Sequence, residues 1–191
     1  MRIGLIDNYD SFTYNLVHYI EPYVDSIEVF RNDRFELNQL NTFDALVLSP
    51  GPGLPRESGS LMRVIDEYAH SKPILGICLG LQAIVEHFGG SLTQMNEVRH
   101  GQMVIAQMNT ESHLFKGLQK EEEVGLYHSW GTSVNLLPDV LKETAVFNGI
   151  TMAIEHCDLP ISAVQFHPES VLTQHGKAMI LNWINYLNDL K

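Results

Sequence analysis

An open, mostly parallel α/β sheet with helices on both faces is the fold this sequence predicts, and three observations carry that reading. Short apolar runs of strand length, at residues 2–6, 26–30, 44–48 and 73–77, alternate with segments of helical periodicity. Two of the runs end in glycine-rich turns, Ser49-Pro50-Gly51-Pro52-Gly53 and Gly76-Ile77-Cys78-Leu79-Gly80. With 191 residues, 45% of them apolar, and no long low-complexity tract, the chain has room for a full core and reads as one domain over residues 1–191.

Residues 2–6 read as a buried strand and 7–10 as the loop at its carboxyl end. Asp10 or Ser11 can cap a helix whose Phe12, Leu16, Tyr19 and Ile20 recur at helical spacing up to Pro22. A second strand at 26–30, a short helix at 36–41 and a third strand at 44–48 follow. Residues 57–70 read as an amphipathic helix with Leu61, Val64, Ile65 and Tyr68 inward. The helix after Cys78 ends at Gly89-Gly90, and 91–108 reads as strands and loops. Glu121-Glu122-Glu123 reads as a solvated acidic run. Between 140 and 156, two strand-like runs flank Asn148-Gly149, a strong hairpin signal, and a third run spans 161–166, so the sheet is mixed with an antiparallel addition. The closing helix, 174–190, puts Met179, Trp183, Tyr186 and Leu190 on one stripe, which reads as core packing.

Chemistry concentrates at Cys78. A side chain at the tip of a strand-to-helix turn needs small neighbours, and Gly76 and Gly80 stand two residues either side. At a helix N-terminus the backbone dipole favours the thiolate. A lone cysteine in a parallel strand is otherwise a structural residue; the flanking glycines shift the reading toward a nucleophile. Its base can be distant in sequence. The run Val164-Gln165-Phe166-His167-Pro168-Glu169 ends a strand at His167, where Glu169 can curl back to orient the imidazole, which proposes a Cys78-His167-Glu169 triad. The Pro50-to-Gly53 loop reads either as a rigid turn or as an oxyanion site. In the second reading Gly53 brings a backbone N–H to the developing charge and Leu79 supplies the other donor. His156-Cys157 is not a second pair, because adjacent strand residues point to opposite faces.

Four motifs in order, Asp7-Asn8-Tyr9-Asp10-Ser11-Phe12, Leu48-Ser49-Pro50-Gly51-Pro52-Gly53, Gly76-Ile77-Cys78-Leu79-Gly80-Leu81-Gln82 and Val164 to Ser170, resemble the class I glutamine amidotransferases. More narrowly the chain is similar to the glutaminase subunits of anthranilate synthase and aminodeoxychorismate synthase. The resemblance runs from the first strand to the last helix. It implies a flavodoxin-like amidotransferase fold and hydrolysis of L-glutamine, with ammonia passed to a separate chorismate-binding synthase subunit in a hetero-oligomer. It implies that Gly51, Pro52, Gly53, Leu79, Gln82 and the backbone at Ser129 and Trp130 bind substrate. It also implies that Asn8, Tyr9, Ser11, His100 and Gly101 lie toward the synthase. Trp130 after Tyr127-His128-Ser129 leans toward the tryptophan pathway, with folate synthesis as the alternative. Two positions depart from the pattern: Leu81 stands where the subfamily usually shows His, and Leu126 where Arg commonly precedes Tyr-His-Ser. They bear on subfamily, glutamine binding and subunit coupling.

Other classes stay in view. An unrelated cysteine hydrolase could use the same fold. A flavin module is disfavoured because the loop after the first strand lacks the glycine and dense hydroxyls of a phosphate cradle, and no Gly-Lys-Ser/Thr follows the Gly-Pro-Gly loop. No cofactor or metal is expected. A formal charge of −11 argues against nucleic acid or an anionic membrane as partner. Two cysteines do not make a disulfide scaffold, and a reducing cytoplasm would keep Cys78 usable. Residues 1–6 read as a strand running into polar Asp7-Asn8 rather than a leader, and no apolar run approaches the ~18 residues of a membrane span.

Overall fold

The structure is a computed structural model that describes residues 1–95 and 100–190. Its strands are β1 (Arg2–Asp7), β2 (Ser26–Arg31), β3 (Ala45–Leu48), β4 (Ile74–Ile77), β5 (Thr93–Gln94), β6 (Gln102–Met108), β7 (Glu121–Leu126), β8 (Trp130–Gly131), β9 (Leu141–Phe147), β10 (Ile150–His156) and β11 (Ile161–Val164). The α-helices are α1 (Thr13–Ile20), α2 (Leu61–Tyr68), α3 (Leu79–His87) and α4 (Gly176–Asp189).

Nine strands join in the order β2-β1-β3-β4-β11-β10-β9-β6-β7. Neighbours from β2 to β11 are parallel, and β10, β9, β6 and β7 extend the sheet antiparallel, as the sequence predicts. The hairpin forms at Asn148 and Gly149, both at positive φ, between paired Phe147 and Ile150. The winding reverses at β1 and β3, and the loops leaving those strands open a crevice at the carboxyl edge of the sheet.

Alternation along the parallel strands feeds two cores. Ile3, Leu5, Val47 and Ile77 face α1 and α4, where Leu16, Ile20, Met179, Trp183 and Ile184 are buried. Ile6, Leu46, Leu48 and Ile74 face α2 and α3 through Leu61, Val64, Ile65 and Ile84. With both faces covered, these strands have no polar side to show, which is why they read as continuous apolar runs. No helix among the described residues is long and apolar enough to cross a membrane.

Several boundaries and environments differ from the sequence reading. The 57–70 helix is a 3-10 turn at Pro55–Glu57 and a separate α2, broken at Gly59 (φ +55°). On α4 the buried stripe is Met179, Ile180, Trp183, Ile184 and Leu187, while Leu190 lies past its end and is half exposed. The acidic run is not uniformly solvated. It forms the start of β7, and the two-residue period that turns Glu121 and Glu123 outward carries Glu122 inward beside Val124. The buried Glu122 carboxylate meets His175 at 2.6 Å and accepts the Gln119 N–H at 2.8 Å. Residues 96–99, within the stretch expected as strands and loops, lie outside the described residues.

The junction of β4 and α3 is the tightest place in the fold. A Cβ at Gly76 would lie 2.7 Å from the Gly80 carbonyl carbon, and one at Gly80 would lie 2.6 Å from the Leu48 carbonyl oxygen. Gly80→Ala is therefore expected to destabilise the protein by about 1–3 kcal/mol through overpacking. Urea unfolding followed by circular dichroism measures it, and an unchanged midpoint would show that α3 can move away from the sheet.

Candidate active site

Cys78 is the single residue between β4 and α3, at φ +52° and ψ −100°. A residue with a Cβ rarely adopts this backbone, at a cost on the order of 1–3 kcal/mol, and keeps it only where the surroundings fix it. Here Gly76 and Gly80 remove the side chains that would collide, and the Cys78 N–H donates to the Val164 carbonyl of β11 at 2.8 Å. The thiol is 5% exposed at the start of α3.

The segment after β11 brings His167 and Glu169 to the same place. His167 Nδ1 and Glu169 Oε1 are 2.7 Å apart, with side chains 4% and 0% exposed. The opposite ring nitrogen, Nε2, is buried, makes no hydrogen bond of ordinary geometry, and is near enough to Cys78 for that group to alter its basicity. Burial works to lower the basicity of His167. The nearby Cys78 sulfur, the hydrogen bond with Glu169 and the charges of both overcome burial and push it up to about 10. The residue is braced from several sides. Its backbone N–H donates to the Gly125 carbonyl, Thr173 Oγ1 donates to its carbonyl at 2.6 Å, and the Tyr127 ring packs on the imidazole at 4.8 Å between centroids. Tyr127 is itself fixed by a 3.0 Å hydrogen bond between its hydroxyl and Ser170 Oγ.

Two cavities meet at Cys78. The smaller, about 110 Å³, is lined by Gly51, Pro52, Gly53, Gln82, Ser129 and Trp130, six of the seven residues expected to bind substrate. The seventh, Leu79, turns its side chain into the core at the first position of α3. Gly53 sits at φ +79°, and no hydrogen bond within the described residues uses its N–H or that of Leu79. The short pairing of β5 with β8 and the Met95 N–H to Ser129 carbonyl bond fix the far wall. The larger cavity, about 460 Å³, opens between Cys78, His167, Tyr127, His100 and the loop from Tyr9 to Phe12.

That first loop differs in detail from the sequence reading. Asn8, grouped with Tyr9 and Ser11 as facing the synthase, is buried and ties three loops together. It bonds Ser49 through its N–H and side-chain amide and accepts from Asn32 Nδ2. Tyr9 and Ser11 are exposed. Neither Asp10 nor Ser11 caps α1, which starts at Thr13 without a side-chain cap; Asp10 instead accepts the Phe12 N–H at 2.7 Å. Its carboxyl lines the larger cavity, where burial pushes its pKa above the ordinary value. His100 is exposed at the cavity rim, and Leu81 and Leu126 are fully buried in the two cores and line neither cavity.

Sequence reasoning gave no role to Gln165, whose Nε2 lies 3.5 Å from Cys78 Sγ. Its position two residues before His167, on the same side of an extended run, was the available signal. Among the described residues no group of three or more His, Cys, Asp or Glu is placed to hold a metal ion.

A raised His167 pKa means that the folded state binds this proton more tightly than the unfolded chain. The resulting stabilisation is complete below the unfolded value of about 6.5 and is lost as pH rises through about 10. Ring-nitrogen NMR is expected to show His167 as imidazolium at pH 8 and to show its midpoint falling in Cys78→Ala. A neutral ring at pH 8 in the wild type would refute this.

The glutamine amidotransferase class-I family model covers residues 4–186. Anthranilate synthase component 2 of Lactococcus lactis is 43% identical over 192 residues, covering 99% of this chain and 96% of that protein. The aminodeoxychorismate/anthranilate synthase component 2 of Bacillus subtilis is 40% identical, covering 95% of each. A crystal structure of a proposed GMP synthase subunit from Thermoplasma acidophilum superposes with a TM-score of 0.88 at 30% identity, over 100% of this chain and 95% of that one. With a Cys-centred elbow at the carboxyl edge of a flavodoxin-like sheet, and a family match over nearly its whole length, the chain belongs to the class-I glutamine amidotransferases.

Proposed function

We propose that residues 1–191 act as one glutaminase domain that hydrolyses L-glutamine and supplies ammonia to a chorismate-aminating synthase subunit, most specifically that of anthranilate synthase. The observation that carries this reading is Cys78 beside the buried His167–Glu169 pair, at the junction of a smaller and a larger cavity. The small cavity receives glutamine against Gln82 and the Ser129–Trp130 backbone. The Cys78 sulfur attacks the side-chain amide carbon while the Gly53 and Leu79 N–H groups take the developing oxyanion. His167 gives its proton to the departing nitrogen, which leaves as ammonia, and a glutamyl thioester remains. Water then attacks the thioester, His167 takes a proton from it, and glutamate and the free sulfur are released. Glu169 keeps Nδ1 of His167 protonated throughout. The larger cavity, bordered by exposed Tyr9, Phe12 and His100, is the face for the synthase subunit in a hetero-oligomer.

The name of the Bacillus relative favours a second reading, in which the same chain also serves aminodeoxychorismate synthesis. The experiment measures ammonia release from glutamine by wild type and Cys78→Ala, with and without chorismate and the synthase subunit, and with ammonium salt in place of glutamine. Cys78→Ala is expected to lose glutamine-dependent turnover by on the order of 10⁴-fold or more while ammonia-dependent synthesis persists. Anthranilate or aminodeoxychorismate as product identifies the pathway. Loss of both activities would mean that Cys78 is structural, and turnover of esters without glutamine would favour an unrelated hydrolase.

A further inference from the structure

A chain of two buried side-chain amides, Gln82 and Gln165, runs from the Trp130 carbonyl in the wall of the small cavity to the sulfur. Gln82 Nε2 donates to the Trp130 carbonyl at 2.9 Å and to Gln165 Oε1 at 3.3 Å, and Gln165 Nε2 donates to Cys78 Sγ at 3.5 Å. Gln82 is 3% exposed and Gln165 is fully buried. The direction of the chain follows from its first member. A backbone carbonyl can only accept, so Gln82 must present its NH₂ to Trp130. That group has two hydrogens, and the second goes to Gln165, which must therefore offer its oxygen to Gln82 and its NH₂ to the sulfur. Neither glutamine can turn over without leaving a buried polar group unpaired, at a cost of about 1–3 kcal/mol.

We infer that Gln165 is a functional donor to the reacting sulfur, oriented by Gln82, and that this amide chain favours the thiolate that attacks glutamine. The inference rests on the reading of Cys78 as nucleophile. A donor to a charged acceptor gains more than one to a neutral thiol, so an N–H aimed at Sγ selects the ionised form. The titratable groups around the sulfur are His167, with Glu169 behind it, and Asp10, His100 and Tyr127 across the larger cavity. Gln165 acts alongside these without carrying charge. Through Gln82 it also links the nucleophile to Trp130, so the wall that meets glutamine and the sulfur that attacks it share one hydrogen-bond chain.

The test is the pH profile of Cys78 alkylation by iodoacetamide, measured without glutamine in a Cys157→Ser background, because Cys157 is exposed and would also react. Gln165→Met keeps an unbranched side chain of similar volume and removes the donor. Its alkylation midpoint is expected to move up by about one pH unit relative to the parent. Gln82→Met, which leaves Gln165 in place without its orienting donor, is expected to move it in the same direction by less. A Gln165→Met midpoint equal to the parent's overturns the inference, and a lower melting temperature with no shift assigns Gln165 to packing alone. If Gln165→Met does not fold, Gln82→Met decides, and an unshifted midpoint overturns the proposal. Glutaminase activity surviving in Cys78→Ala would instead defeat the nucleophile reading, an outcome separate from the alkylation profile.

Discussion

A cysteine at φ +52° sits at the centre of this molecule because β4 passes into α3 with no residue to spare. The turn brings α3 so close to the sheet that Gly80 rests on the Leu48 carbonyl and Gly76 on Gly80, leaving no room for a Cβ at either position. Much of the site follows from that packing. Cys78 follows β4 directly and lines both cavities, and β3 and β11 on either side of β4 deliver the Gly-Pro-Gly loop and His167. Backbone strain of this kind persists only when neighbours fix it. The bond from the Cys78 N–H to Val164, together with burial on both faces, provides that support.

Around the turn, buried polar contacts immobilise loops that would otherwise be free. Asn8 joins the loops after β1, β2 and β3 through Ser49 and Asn32. Thr173 bonds both the His167 carbonyl and the Gly125 N–H, closing the segment after β11 onto β7. Behind it, Glu122 clamps His175 at the start of α4. Removing a partner of buried Asn8, Thr173 or Glu122 leaves that side chain unsatisfied in a dry environment, so each contact fixes geometry more strongly than its net stabilisation suggests. The His167 ring therefore stands on a rigid base although it lies outside regular secondary structure.

The two departures from the subfamily pattern fall in the cores. Leu81, on the buried side of α3, joins Leu79, Ile84 and Leu48, while Leu126 packs with Val124 and Phe166. Apolar residues satisfy those environments without a polar partner, and neither touches the cavities. The family match spans residues 4–186, and within it the structure gathers the elbow, the Gly-Pro-Gly loop and the His-Pro-Glu segment at one edge of the sheet.

The sequence by itself determined the alternation of buried strands and helices, the hairpin at Asn148-Gly149, the elbow at Cys78 and the pairing of His167 with Glu169. Each is written in local pattern: apolar periodicity, glycine spacing, or a carboxylate two residues from an imidazole. Only the tertiary structure decided that Glu122 is buried, that Asn8 is a tie between loops rather than a surface residue, and that Gln165 reaches the sulfur. Those environments depend on partners such as His175 for Glu122 and Cys78 for Gln165, 53 and 87 residues away along the chain. A polar side chain reads as solvated until its partner is known, because the fold that joins them is fixed by the apolar positions around them rather than by the polar residues themselves.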